Sequence, residues 1–365
     1  MRFRHPDGST VHLAYCTNVH PAETLPGVHD QLAGACSRVR SLLGVDRLGL
    51  GLWLSRDVAS TLLADPSELV RLRAALERLG LEVVTLNGFP YRGFQQEVVK
   101  YRVYEPDWAS PSRLRYTLDL AEILAQLLPA DVAEGTISTL PLAWRTDWTP
   151  TKAEAVSRNI ATLCDELHAL SSRSGKTIRV GFEPEPGCIV ETTPQATALL
   201  PHLDLLGLCL DACHAAVGFE DPPDLTLPVV KLQASCALEA APYTQSALAA
   251  YDEHRFLHQT RSASGFTDDL GEAMGGALPP GETWRVHFHM PLHAELPPPL
   301  TTTAPYLRGL LRTLLGGDTA LTRHVEVETY TWTVMPGGPS DAAEGIAAEL
   351  DWTRGRLAEL GLKEL

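Results

Sequence analysis

Three segments of this chain pass from an apolar run straight into a carboxylate. Residues 178–182 lead into Glu183-Pro184-Glu185-Pro186-Gly187, residues 206–210 into Asp211-Ala212-Cys213-His214, and Val325-Glu326-Val327 into Glu328. A fourth segment carries His287-Phe288-His289. Three carboxylates and an imidazole form a ligand set for a hard divalent cation: Mn²⁺, Mg²⁺ or Co²⁺, with Zn²⁺ also admissible. Carboxylates in such a site can also move protons. His289, nearest the end of its segment, is the expected imidazole ligand. If that segment lies outside the main sheet, the ligand position falls to Gln233 in Lys231-Leu232-Gln233, a poor ligand for a transition metal.

Around this set stand the expected substrate contacts. His214 lies three residues past Asp211, too far along to share its direction. Glu185 is flanked by two prolines and either touches substrate or caps the next helix. Asn18 and His20 close an early segment, Asn87 ends another, and Gln233 and His287 complete the group. Cys213 neighbours Asp211 and His214 and could line the site. Lys100-Tyr101-Arg102 reads as a solvated surface run.

The elements that must position these residues alternate along the chain. Strand-like runs fall at about residues 11–16, 47–54, 81–86, 132–140, 178–182, 206–210, 229–234, 284–290 and 324–329. Helical spacing falls at about 27–43, 67–79, 112–127, 152–172, 193–203 and 340–360. Eight βα units with one strand to spare make an α/β (β/α)₈ barrel in a single domain. Residues 284–293, beyond a Gly/Pro-rich loop at 271–281, read as an insertion between the last two barrel strands. Side chains alternate along a strand, so Gly181 and Glu183, Cys209 and Asp211, and Glu326 and Glu328 share the barrel interior with Asn18, Asn87, Ser138 and Gln233. Polar groups from nearly every strand end then converge, which marks a site.

Composition bounds the function. The 365 residues carry a net charge of −15, which argues against a nucleic-acid partner. The first residues lack the apolar core of a leader, and no run of eighteen apolar residues could span a membrane. Seven cysteines without paired spacing read as reduced, buried thiols, and the chain is expected to be cytoplasmic.

These residues resemble the xylose isomerase-like TIM barrels, a superfamily of sugar isomerases, ketose 3-epimerases and endonuclease IV-type enzymes. The matching pieces are Phe182-Glu183-Pro184, Asp211 with His214, and Val327-Glu328-Thr329. Within it the chain looks closest to the EboE-type "metabolite traffic" proteins. Four motifs carry that likeness: Tyr15-Cys16-Thr17-Asn18-Val19-His20-Pro21, Leu86-Asn87-Gly88-Phe89-Pro90-Tyr91, Val103-Tyr104-Glu105-Pro106-Asp107-Trp108 and Val327-Glu328-Thr329-Tyr330-Thr331-Trp332.

The epimerase pattern implies that Glu183 and Glu328 are both metal ligands and the two acid/base groups, with Asp211 completing the shell. The implied reaction is isomerisation or epimerisation of a sugar or cyclitol through a metal-stabilised enediolate. Gln233 departs from that pattern, where the epimerases carry a ligand histidine. Two other functions stay open: a non-catalytic metabolite carrier, and a phosphoesterase in which His287 and His289 serve a multi-zinc cluster. By analogy with the superfamily, the barrel could also assemble with copies of itself.

Overall fold

In the computed structural model, which describes residues 1–338 and 341–365, eight parallel strands close into a barrel. They are β1 (Thr10–Cys16), β2 (Leu48–Trp53), β3 (Leu81–Asn87), β4 (Glu134–Thr139), β5 (Thr177–Phe182), β6 (Leu206–Asp211), β7 (Val229–Ala234) and β8 (His324–Val327). Each pairs with the next, and β8 closes on β1 with Glu326 opposite Ala14. Helices fill the connections, so the expected (β/α)₈ architecture is the one found. The insertion between the last two barrel strands is also found. Residues 235–303 build a five-stranded antiparallel sheet after β7, before the helix Ala304–Leu315 leads into β8.

Several boundaries move for local reasons. The helix expected at 67–79 is preceded by a second one, Arg56–Ala64, started by Ser55, whose hydroxyl accepts from the Val58 amide. Asp65 ends it and caps the next, Pro66–Leu79. The helix expected to reach 203 stops at Leu199, because Leu200 is extended ahead of Pro201. The strand expected over 284–290 keeps its ladder only through Val286. Beyond it the Met290 amide bonds to the Cys236 carbonyl, outside that sheet. The C-terminal helix runs Ala342–Glu359; its expected start, Ser340, lies outside the described residues.

Alternation sorts the strands as expected. Leu206, Leu208 and Leu210, with Val180 and Phe182, join the apolar core beneath the helices. The other set fills the barrel. Lys231 pairs with Glu326 across the interior, both fully buried, and the Thr136 hydroxyl donates to Thr85 Oγ1 at 2.9 Å. Gly51 leaves the room for that ion pair, since a Cβ there would stand 2.0 Å from Glu326 Oε1. No helix among the described residues is long and apolar enough to cross a membrane.

Candidate metal centre

At the C-terminal end of the barrel Glu183, Asp211 and Glu328 converge. Each presents a carboxylate oxygen within 4.8 Å of the others, and all three are buried. Local structure aims them. Asp211 caps the short helix Ala212–Val217, its Oδ1 accepting from the His214 amide and from the Ser235 hydroxyl, both at 2.8 Å. Glu328 Oε1 accepts from Asn18 Nδ2 at 2.7 Å and from Asn87 Nδ2 at 3.0 Å. Glu183 Oε2 and Asp211 Oδ2 are buried without a partner. Burial, followed by mutual repulsion, pushes the Glu183 carboxyl well above its ordinary range and Glu328 up to about 8. Orphaned carboxylate oxygens in a dry site are costly, and a cation is the group that satisfies them.

Beside the carboxylates three imidazoles meet. His214 Nε2 lies 3.0 Å from His287 Nε2, which lies 3.2 Å from His289 Nε2. Each ring is turned by an acceptor at its other nitrogen. His214 Nδ1 bonds to the Pro184 carbonyl at 3.0 Å, His289 Nδ1 to the Glu328 carbonyl at 2.7 Å, and His287 Nδ1 to Gln259 Oε1 at 2.7 Å. The Gln259 amide nitrogen is itself committed to Tyr104 Oη and the Pro186 carbonyl, which fixes its oxygen toward His287. Carbonyl oxygens only accept, so the Nδ1 atoms carry the protons and the Nε2 lone pairs face one another. Burial pushes His214 down to about 4 and His287 well below its usual range, so the rings are neutral, the form that binds metals. Convergent lone pairs with every Nδ1–H anchored are the arrangement of a metal-binding histidine set. Asp211 belongs to both halves: it groups with Glu183 and Glu328 on one side and with His214 and His289 on the other.

A xylose isomerase-like TIM barrel protein from Mycobacterium smegmatis, in complex with magnesium, superposes with a TM-score of 0.53 at 13% identity, over 96% of this chain and 97% of that one. An Anabaena variabilis protein assigned provisionally as a sugar phosphate isomerase/epimerase gives 0.50 at 12% identity, over 96% and 100%. The IolI protein with a bound zinc atom gives 0.48 at 14% identity, over 95% and 98%. The fold is that of the xylose isomerase-like TIM barrels. No protein-family model matches the chain, and no curated protein matches it in sequence.

In this barrel a cleft leads to the two ligand groups. It encloses about 490 Å³ counted out to its open mouth. Asn18, Asn87, Glu183, Glu185, His214, His287, His289 and Glu328 line it, with Asp211 buried among them.

Other expectations need correction. His20 is outside the cleft. A single 3₁₀ turn, Thr17–Val19, sends Asn18 inward and His20 outward, where its Nε2 lies 3.1 Å from the Tyr15 hydroxyl. Gln233 is fully buried below the cleft wall, its amide nitrogen and oxygen both without partners. Glu185 caps no helix. Thr192 and Gln195 cap Thr193–Leu199, and Glu185 Oε1 accepts from the Tyr104 hydroxyl at 2.5 Å. In the run 100–102 Tyr101 and Arg102 are exposed as expected, while Lys100 is half-buried and its ammonium pairs with Asp269 at 2.5 Å. Cys213 is buried with its sulfur within ligand reach of His287 and His289. Tyr104, Gln259 and Tyr330 were not anticipated. They reach the site from loops, where strand alternation gives no signal.

Proposed function

We propose that the chain is a metal-dependent isomerase or epimerase acting on a small, oxygen-rich metabolite such as a sugar, a cyclitol or a derivative. The observation that carries this reading is the pair Glu183 and Glu328, buried on either side of Asp211 with raised proton affinity. Glu183, Asp211 and Glu328 would hold the ion, with His289 adjoining. A bound divalent ion would polarise a substrate oxygen and stabilise the charge that develops on it.

This chain's own residues would move the protons. One of Glu183 and Glu328 removes a proton from the carbon beside a carbonyl, and the other returns one at the opposite face or the neighbouring carbon. Asn18 and Asn87 fix the Glu328 carboxylate by donating to one oxygen, leaving its other oxygen available. The cleft, about 490 Å³ counted out to its open mouth, is of a size for a small metabolite. Four motifs support a finer placement among the EboE-type proteins, and the net charge of −15 supports the absence of a nucleic-acid partner.

The histidine trio favours a second reading. With Asp211 shared between both groups, two cations could stand side by side, the arrangement that serves metal-assisted hydrolysis of phosphoesters. Metal content, measured by mass spectrometry on the wild type and Asp211→Ala, separates the readings. We expect about one divalent ion per chain, lost in the variant. Two ions per chain would move the assignment to hydrolysis. No ion after reconstitution with manganese, cobalt and zinc would leave a metabolite carrier.

A further inference from the structure

The cleft has two chemically opposite walls. Its floor is the carboxylate and imidazole set. Its roof is built from Phe89, Phe94, Val99, Val103, Phe256 and Leu257. Phe94 and Phe256 come from separate loops and meet over the site with ring centroids 5.3 Å apart, and each packs on Tyr330, at 5.2 and 4.8 Å.

Several polar groups around this roof are already engaged. Lys100 is the one cationic side chain among the described residues lining the cleft, and its ammonium is held by Asp269 and by the Glu253 carbonyl. The amides of Val99 and Lys100 both donate to the Arg255 carbonyl, at 2.8 and 3.0 Å. The Phe256 amide donates to Glu253 Oε1 at 2.8 Å. A free sugar or cyclitol carries hydroxyls on every edge. Hydroxyls turned to these apolar side chains would leave water and gain no donor or acceptor from them, at a cost for each. A hydrocarbon surface meets it without that cost.

We propose that the substrate is two-ended: an oxygen-rich head that chelates the metal on the floor, and a flat hydrocarbon group held against Phe94 and Phe256. The inference rests on the metal-dependent reading above and deepens it. The rings of Phe94 and Phe256, which line the cleft, suit a planar partner. Face or edge contact with Phe94 and Phe256 would then supply much of the affinity. The roof selects substrate while the floor does chemistry, so the two properties should separate under mutation.

Two small chelators test this on the full chain loaded with manganese or zinc. Acetohydroxamate offers the chelating head alone, and benzohydroxamate adds a phenyl ring. Affinities are read by calorimetry and referenced to those of the same compounds for the free ion. We expect benzohydroxamate to bind at least about tenfold more tightly, as burial of one aromatic ring implies. In Phe94→Ala and Phe256→Ala that advantage should fall to about twofold or less, while acetohydroxamate keeps its affinity and so reports an intact, loaded floor. Equal affinities in the wild type, or a parallel loss of both compounds in the variants, would overturn the two-ended substrate while leaving the metal reading in place. Failure of acetohydroxamate to bind the loaded protein would overturn the metal reading and this inference with it.

Discussion

Glu328 is gripped by two asparagine amides and still favours its proton, because it is buried and because Asp211 and Glu326 repel its charge. That has a consequence for stability. A carboxyl raised from 4.5 to about 8 binds more protons in the folded than in the unfolded state between those values. Its ionisation therefore destabilises the metal-free fold as pH rises through that window. Glu328→Gln keeps an acceptor for Asn18 and Asn87 but removes the charge. In the presence of a chelator the variant should match wild type near pH 4.5 and melt progressively higher than it toward pH 8, with each kcal/mol worth roughly 1–2 °C. Thermal melts across that range check this, and a constant gap between the two proteins would sink it. With saturating divalent ion the order should reverse, since the ion removes the repulsion and the variant loses a ligand. The three carboxylates could be read from the chain because strand alternation alone dictates their direction. The three imidazoles could be named from the chain but their convergence could not, because rings from two distant segments are aimed by the Pro184 and Glu328 carbonyls and by Gln259. His20 misled for a similar reason. One 3₁₀ turn past the strand is enough to break the alternation that placed Asn18 correctly.

Among the elements, the loop of residues 92–104 and the insertion of residues 235–303 carry the site's roof, and they hold each other down. Lys100 reaches Asp269, and the amides of Val99 and Lys100 bond to Arg255. These contacts are part-exposed, with Lys100 and Asp269 side chains 23% and 22% accessible, so the ion pair is worth on the order of 0.2–1 kcal/mol. That is small against global stability and large against a local opening equilibrium. Lys100→Ala should therefore leave the melting temperature nearly unchanged. It should also speed tryptic cleavage at Arg102 by about 1.4- to 5-fold, the range that energy implies when opening precedes cutting. An unchanged cleavage rate would show that the loop is held elsewhere. The sequence announced an insertion through its Gly/Pro-rich stretch and one of its strands, at 284–290, yet the other four are two or three residues each, below the length at which alternation can be read. The helix Arg56–Ala64 was missed because Asp65-Pro66 resembles a loop, while the Ser55 cap that starts it became visible only with its partner, the Val58 amide.

For the molecule as a whole, eight strand-like runs ending in polar residues were enough to indicate a barrel, since every βα unit repeats the same signal. What closes the opposite end was not legible. The strand Arg2–Arg4 is only three residues long, and it pairs antiparallel with both β1 and the C-terminal Lys363–Glu364. Through it Arg2 places its guanidinium on Glu82, with Nε 3.0 Å from Oε1 and Nη2 2.6 Å from Oε2, beneath the barrel. Glu82 has a side chain only 2% exposed. Burial alone would raise its carboxyl; His12 and Arg2 beside it outweigh burial and hold it well below the usual carboxylate range. A depressed carboxyl contributes stability that is present above its unfolded value and lost as pH falls toward its folded one. Arg2→Ala leaves Glu82 to His12 at 3.6 Å and to Arg47, whose side chain is 59% exposed. Removing one partner of a buried pair costs about 3–5 kcal/mol, and these two neighbours should hold the loss at the lower end. The contact with Asp131 adds little, because that carboxylate is 66% exposed. The deficit of the variant, measured by denaturant unfolding, should be greatest at neutral pH and should shrink below pH 4.5 as Glu82 takes up its proton. A deficit that stayed the same from neutral pH into acid would mean that Arg2 acts through packing on the barrel floor and not through the charge of Glu82.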